Sequence, residues 1–240
     1  MSARRTGVSL NNGRGLPLVL SCEHASHAVP RDLRKAFRED QQVLLSHRGW
    51  DPGALAVARR LERAFRVPLV VGRWSRLVID LNRSPHHPRL FSTWSKTASP
   101  VRKQELLALH TEHWAEVVRH LEAILAWSPR VVHVAVHSFT PELDGEVRNA
   151  DVGLLYDPGR VQERQLARSL QRRLSTDCRV RLNYPYRGIA DGLPTALRKR
   201  LGPAYAGLEL ELNQAFVVAR GVPRLSAALE RALGAALAAP

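Results

Sequence analysis

Apolar positions recur along the chain in two rhythms. Short runs, "LPLVLSC", "VPLVVGR", "RLVIDLN", "RVVHVAVHS", "VGLLYD", "RVRLNYPY" and "GLELELNQAF", are continuously apolar or alternate with a period of two, and they read as strands. Other stretches carry apolar residues at helical spacing. "DPGALAVARRLERAF" places Leu55, Ala58, Leu61 and Phe65 on one face, and "RVQERQLARSLQRRLS" is strongly amphipathic. Residues from about Pro100 to Trp127 read as one long helix or two broken ones, "LPTALRKRLG" as a short helix, and "PRLSAALERALGAALA" as a closing helix. Strand and helix interleave throughout. That predicts an α/β fold, a three-layer α/β/α sandwich around a mixed, mostly parallel sheet. No internal repeat or linker divides the chain, so a flexible tail over 1–15 and a single α/β domain over 16–240 are expected. The polar, Pro-rich segment from Asn82 to Pro100 exceeds a plain connection, and loops of that length are usually functional or disordered.

Composition changes this picture little. At 240 residues, 45% hydrophobic and 24% charged, the chain is long enough for one substantial core. Its apolar runs are too short to cross a bilayer, so no membrane partner is expected. The N-terminus has basic residues with no apolar stretch behind them and does not read as a secretory signal. Two cysteines, Cys22 and Cys178, make no disulfide framework, which fits a reducing cytoplasm. The net charge of +14 comes from arginines scattered along solvated helix faces. They form no zinc finger, recognition helix or aromatic RNA-binding strand, so a general preference for arginine accounts for them and no specific nucleic acid is expected. The charge does favour an anionic ligand.

In α/β sheets, ligands collect at the carboxyl ends of the strands. There the sequence puts Glu23, His24 and His27 after "LVLSC", Asn82 and Arg83 after "RLVIDL", and His137 and Ser138 after "RVVHVAV", while "GLELELN" holds Glu209, Glu211 and Asn213. Two histidines, a carboxylate and an arginine are the kit of a metal-assisted hydrolase acting on an anion. Catalytic zinc takes about three protein ligands and keeps an open position, a separate carboxylate acts as general base, and arginine grips a carboxylate through two hydrogen bonds. Each piece also has a plainer reading. A strand-end histidine is ordinarily structural. Asp51, before Pro52 at a helix start, looks like an N-cap. Asp80 reads as a buried structural partner, and His110 and His113 as a solvated helix face. Glu209 and Glu211 share one strand face, and alternation does not choose between them.

Five stretches, "SCEHASHAVP", "HRGWDPGA", "DLNRSP", "HSFTP" and "GLELELNQAF", follow one another from Ser21 to Phe216. Together they resemble the N-formylglutamate amidohydrolase family, hydrolases similar in fold to zinc carboxypeptidases. The resemblance implies a phosphorylase/hydrolase-like, carboxypeptidase-like α/β domain. It implies one zinc ion (Zn2+) held by His24, Asp51 and His137, Glu211 as the catalytic base, and Asn82, Arg83 and Ser138 as substrate-binding residues. The implied substrate is a small anionic N-acyl amino acid, N-formyl-L-glutamate, cleaved to formate and L-glutamate. Two other readings stand beside it: a zinc hydrolase of the same fold acting on another N-acyl amino acid or a small peptide, and a non-enzymatic basic α/β binding protein. The sequence departs from the family at His27, where a small polar residue is expected, and around "ELELNQA". Residues 86–99 match nothing in it and read as a candidate lid.

Overall fold

Alternation in three strands sorts this protein's residues onto two unlike sheet faces. The structure, a computed structural model, describes residues 15–238. The expected tail therefore lies outside the described residues except for Gly15. In chain order the elements are β1 (Leu18–Cys22), α1 (Gln41–Leu45), α2 (Ala54–Phe65), β2 (Leu69–Val71), α3 (Pro100–Leu125), β3 (Val131–Phe139), β4 (Glu142–Leu143), β5 (Glu146–Val147), β6 (Val152–Leu155), α4 (Val161–Leu174), β7 (Val180–Leu182), α5 (Leu193–Leu201), β8 (Tyr205–Asn213), α6 (Gln214–Arg220) and α7 (Val222–Leu237). Six strands form one sheet in the order β2-β1-β3-β8-β6-β7, and β4 and β5 make a separate hairpin. All neighbouring pairs in the large sheet are parallel except β6 with β8. The mixed, mostly parallel three-layer sandwich is thus observed.

One face of the sheet is apolar. Leu18, Leu20 and Cys22 of β1, Val132, Val134 and Val136 of β3, and Leu208, Leu210 and Leu212 of β8 pack there against α2, α4 and α7. On the other face the same strands start apolar, with Val19, Val131 and Tyr205 packed on α3 and α5. Further along they turn polar: Ser21, His133, His137 and Glu211 are all buried on this side. A strand buried on both faces normally reads as a continuous hydrophobic run. Here the polar face marks the layer in which chemistry is placed.

The helix from Pro100 is single and unbroken. Ser99 caps it by accepting the Arg102 N–H at 3.2 Å, and Pro100 fills the first position, where no N–H is needed. Two expectations fail nearby. Residues 76–82 do not form a strand but a series of turns, with Val78 N–H on Ser75 C=O and Arg83 N–H on Asp80 C=O. Their apolar residues Val78, Ile79 and Leu81 enter a satellite core with Phe37, Leu90 and Leu106 instead of joining the sheet. His110 and His113 are not solvated: they are 1% and 7% exposed. The helix face they occupy lies over the polar half of the sheet, so residues that look solvent-facing by hydropathy find polar partners inside. The 86–99 segment is anchored through Leu90 and Ser95, both buried, and Arg89 lines the cavity described next.

Candidate active site

At the carboxyl ends of β1, β3 and β8 lies a cavity of about 440 Å³. Its floor is built from residues of several elements. His24 follows β1 by two residues, Asp51 precedes α2, His137 lies near the end of β3, and Glu209 and Glu211 lie in β8. Donor atoms of His24, Asp51 and His137 all fall within 4.8 Å of one another, and all three residues are buried. The local backbone explains the convergence. Asp51 N–H donates to the His24 carbonyl at 2.9 Å, tying the two loops together. The Asp51 carboxylate does not cap α2, whose N-cap is Gly53 with no side-chain bond. Instead Asp51 Oδ2 lies 2.9 Å from His137 Nδ1 and 3.4 Å from His24 Nδ1, and accepts the Ser138 N–H at 3.2 Å.

Each histidine leans on a further carboxylate. His24 Nε2 lies 2.6 Å from Asp80 Oδ1, and His137 Nε2 lies 3.1 Å from Glu23 Oε2. Burial and Arg76 work against a charged His24, but Asp80 and Asp51 outweigh them and raise its pKa. Burial likewise opposes protonation of His137, and Asp51 and Glu23 hold it well above its ordinary value. The carboxylates respond in reverse. Burial alone would raise Glu23, Asp51 and Asp80, but their cationic neighbours hold all three below the usual carboxylate range. The two histidines thus hold protons more tightly, and the three acids less tightly, than they would in water. His24 Nδ1 is buried with no hydrogen-bond partner. Two imidazoles and a carboxylate, each imidazole backed by a second carboxylate, suit a zinc-type cation that would displace those protons.

The other expected site residues lie on the same cavity. Glu211 is 5% exposed, its Oε2 has no hydrogen-bond partner, and burial, opposed by His137, pushes its pKa up to about 7. Opposite it in the neighbouring strand stands Gly153, where a Cβ would come 3.2 Å from the Glu211 Cβ and 1.9 Å from the Tyr184 carbonyl oxygen. Glu209 also lines the cavity, with its carboxylate accepting the Asn82 side-chain N–H at 3.1 Å. Asn82 Oδ1 in turn accepts the Leu193 N–H at the start of α5. Arg83 Nε lies 3.2 Å from Asp80 Oδ2, and its Nη1 lies 2.8 Å from His87 Nε2. The turn bearing both residues is clamped by α3: His110 Nε2–H donates to the Arg83 carbonyl at 2.8 Å and Trp114 Nε1–H to the Leu81 carbonyl at 2.7 Å. Ser138 lines the cavity, donating its hydroxyl to Pro52 C=O and accepting from Gln214. His27 packs edge-on against Trp50, away from this set.

A model of N-formylglutamate amidohydrolases matches residues 16–218. The chain belongs to the N-formylglutamate amidohydrolase family. That family is one of hydrolases, and its span contains every residue of the site. The fold is similar to that of a gene product from Agrobacterium tumefaciens, with a TM-score of 0.77 and 29% identity over 92% of this chain and 90% of that one. It is also similar to the N-formylglutamate amidohydrolase from Ralstonia eutropha JMP134, with a TM-score of 0.71 and 18% identity over 95% of each chain. No curated protein matches the chain. Among the described residues no helix is long and apolar enough to cross a membrane.

Sequence reasoning did not give Glu23, Arg76 or Arg148 a role in this site. Glu23 adjoins His24 in "CEH" but serves His137, a pairing made only by the adjacency of β1 and β3. Arg76 reaches Asp80 at 2.9 Å and Asp51 at 3.7 Å. For Arg148 a signal was present: Asp144-Gly145, both with positive φ, forms the two-residue turn of the β4–β5 hairpin that delivers it.

Proposed function

We propose that this protein is a zinc-dependent, cytoplasmic amidohydrolase that cleaves N-formyl-L-glutamate to formate and L-glutamate. The observation that carries the reading is the convergence of His24, Asp51 and His137 beside a buried, unpartnered Glu211. Those three residues would hold the zinc, which when bound supplies Lewis acidity to the amide carbonyl and lowers the pKa of water.

The chain's own groups do the rest. Glu211, whose pKa burial pushes up to about 7, is suited to take a proton from the attacking water and return it to the departing nitrogen. Asn82 and Arg83, fixed by α3 and α5, present an amide and a guanidinium to a substrate carboxylate, which holds the scissile amide against Glu211. Asp80 and Glu23 fix the tilt and tautomer of the two histidines. Ser138 places its N–H on Asp51 and so orients that carboxylate. The cavity has room for a larger acyl group, which keeps other N-acyl amino acids and short peptides as a second panel of substrates. The reading is tested by zinc content and formate release on N-formyl-L-glutamate. About one zinc per chain with formate release supports it; no bound metal removes the ligand set.

A further inference from the structure

Several arginines line the cavity, and among the described residues one of them is both buried and without an acid. Arg76 and Arg83 are paired to Asp80, and Arg89 and Arg187 are exposed at the rim. Arg148 is 8% exposed and lines the same cavity. Its only side-chain hydrogen bond among the described residues runs from Nη1 to the Tyr186 hydroxyl at 3.1 Å. Its guanidinium carbon lies 5.1 Å from the Tyr186 ring centroid and 5.9 Å from that of Phe139.

A buried cation is costly unless it is paired. Two aromatic faces offset part of that cost, and the remaining N–H groups are left without protein acceptors beside the cavity. The backbone around it is fixed. Arg148 N–H donates to the Pro141 carbonyl at 2.8 Å, and its own carbonyl accepts from Ala150 N–H and Asn213 Nδ2. Asn213 ends β8, two residues past Glu211, so the Arg148 backbone is tied to the end of the strand that carries the proposed base. A planar fork with free donors, largely buried at the cavity wall, is built for a carboxylate.

We propose that Arg148 seats a second carboxylate of the substrate and makes the enzyme select N-acyl amino acids with acidic side chains over neutral ones. This rests on the reading of the site as an N-acyl amino acid hydrolase and adds the residue that sets its preference. One carboxylate goes to Asn82 and Arg83, the other to Arg148, and the amide lies between them.

The test compares wild type, Arg148→Gln and Arg148→Lys on N-formyl-L-glutamate and its neutral isostere N-formyl-L-glutamine. Arg148→Gln is expected to lower kcat/KM for the acidic substrate on the order of 100-fold, the scale for removing one partner of a desolvated charge pair, and to lower it for the neutral substrate at least about tenfold less. Arg148→Lys should fall between. Equal losses on both substrates would overturn the assignment while leaving the hydrolase reading intact. A second arm uses calorimetric binding of glutarate and butyrate, which needs no turnover. Glutarate should bind wild type at least about tenfold more tightly than butyrate, and Arg148→Gln should abolish that difference. If no formate is released from any substrate, the proposed activity falls and the glutarate arm alone judges Arg148. If Arg148→Gln does not fold, the wild-type ratio decides, and equal affinities for glutarate and butyrate overturn the proposal.

Discussion

Glu23 Oε2 lies 3.1 Å from His137 Nε2, on the side of the ring away from Asp51. Glu23 is wholly buried, and its other oxygen lies 3.5 Å from His113 of α3. The carboxylate lies in ion-pair range of both rings, behind the one whose Nδ1 faces Asp51, and neither of its oxygens has a hydrogen-bond partner among the described residues. Replacing such a supporting acid typically costs 10–100-fold in metal affinity. Glu23→Gln is accordingly expected to weaken zinc binding by about 10- to 100-fold, as read by chelator competition. Unchanged affinity would reduce Glu23 to a core residue.

Arg198 and Glu163 anchor the far end of the polar layer. Arg198 Nε lies 2.9 Å from Glu163 Oε1, its other nitrogens reach the Gly188 and Gly207 carbonyls, and both side chains are buried. Arg198→Met strips Glu163 of its buried cation and strands the Gly188 and Gly207 carbonyls, leaving Arg160 Nε, 3.3 Å from Oε1, and two backbone N–H groups on the carboxylate. The expected loss is about 1–3 kcal/mol of folding stability in denaturant titration, with zinc stoichiometry unchanged in the folded fraction. A loss within about 0.5 kcal/mol, as for an ordinary surface change, would contradict it.

His133 gives a pH dependence. It lies wholly buried in β3, with Nε2 2.8 Å from Ser21 Oγ and Nδ1 2.8 Å from the Tyr205 hydroxyl. Burial lowers its pKa from 6.5 to about 4. The folded state thus binds the proton less readily than the unfolded one, and stability falls as pH falls. The contribution is complete above pH 6.5 and is lost progressively towards pH 4, to the extent of about 3 kcal/mol. Between pH 7.5 and 4, wild type should lose about that much more stability than His133→Gln in paired denaturant titrations. Parallel curves would show that His133 does not titrate as the buried geometry requires.

The placement of His24, His137 and the Glu209–Glu211 pair around one cavity was legible because they lie at or near the ends of strands, and strand ends in an α/β sheet share one edge of the molecule; only the resemblance to the family singles out Glu211. The partners that finish the site were not. Glu23 and His113 meet only when α3 crosses β1, and hydropathy counts a histidine as outward-facing whether or not a polar sheet lies beneath it. The turns of 76–82 look like a strand because Val78, Ile79 and Leu81 are apolar, but a satellite core takes them. Asp51 resembled a cap because Pro52 follows it, while its carboxylate is drawn to two imidazoles brought in by β1 and β3.

If Glu211 is the base beside a metal held by His24, Asp51 and His137, its loss must stop the chemistry and spare the metal. Formate release from N-formyl-L-glutamate by Glu211→Gln and wild type, with the zinc content of each determined on the same samples, tests this. Zinc should be equal in both, and activity should fall in the variant by at least about 100-fold, the lower end for a general base. Comparable formate release from a zinc-loaded Glu211→Gln would contradict it.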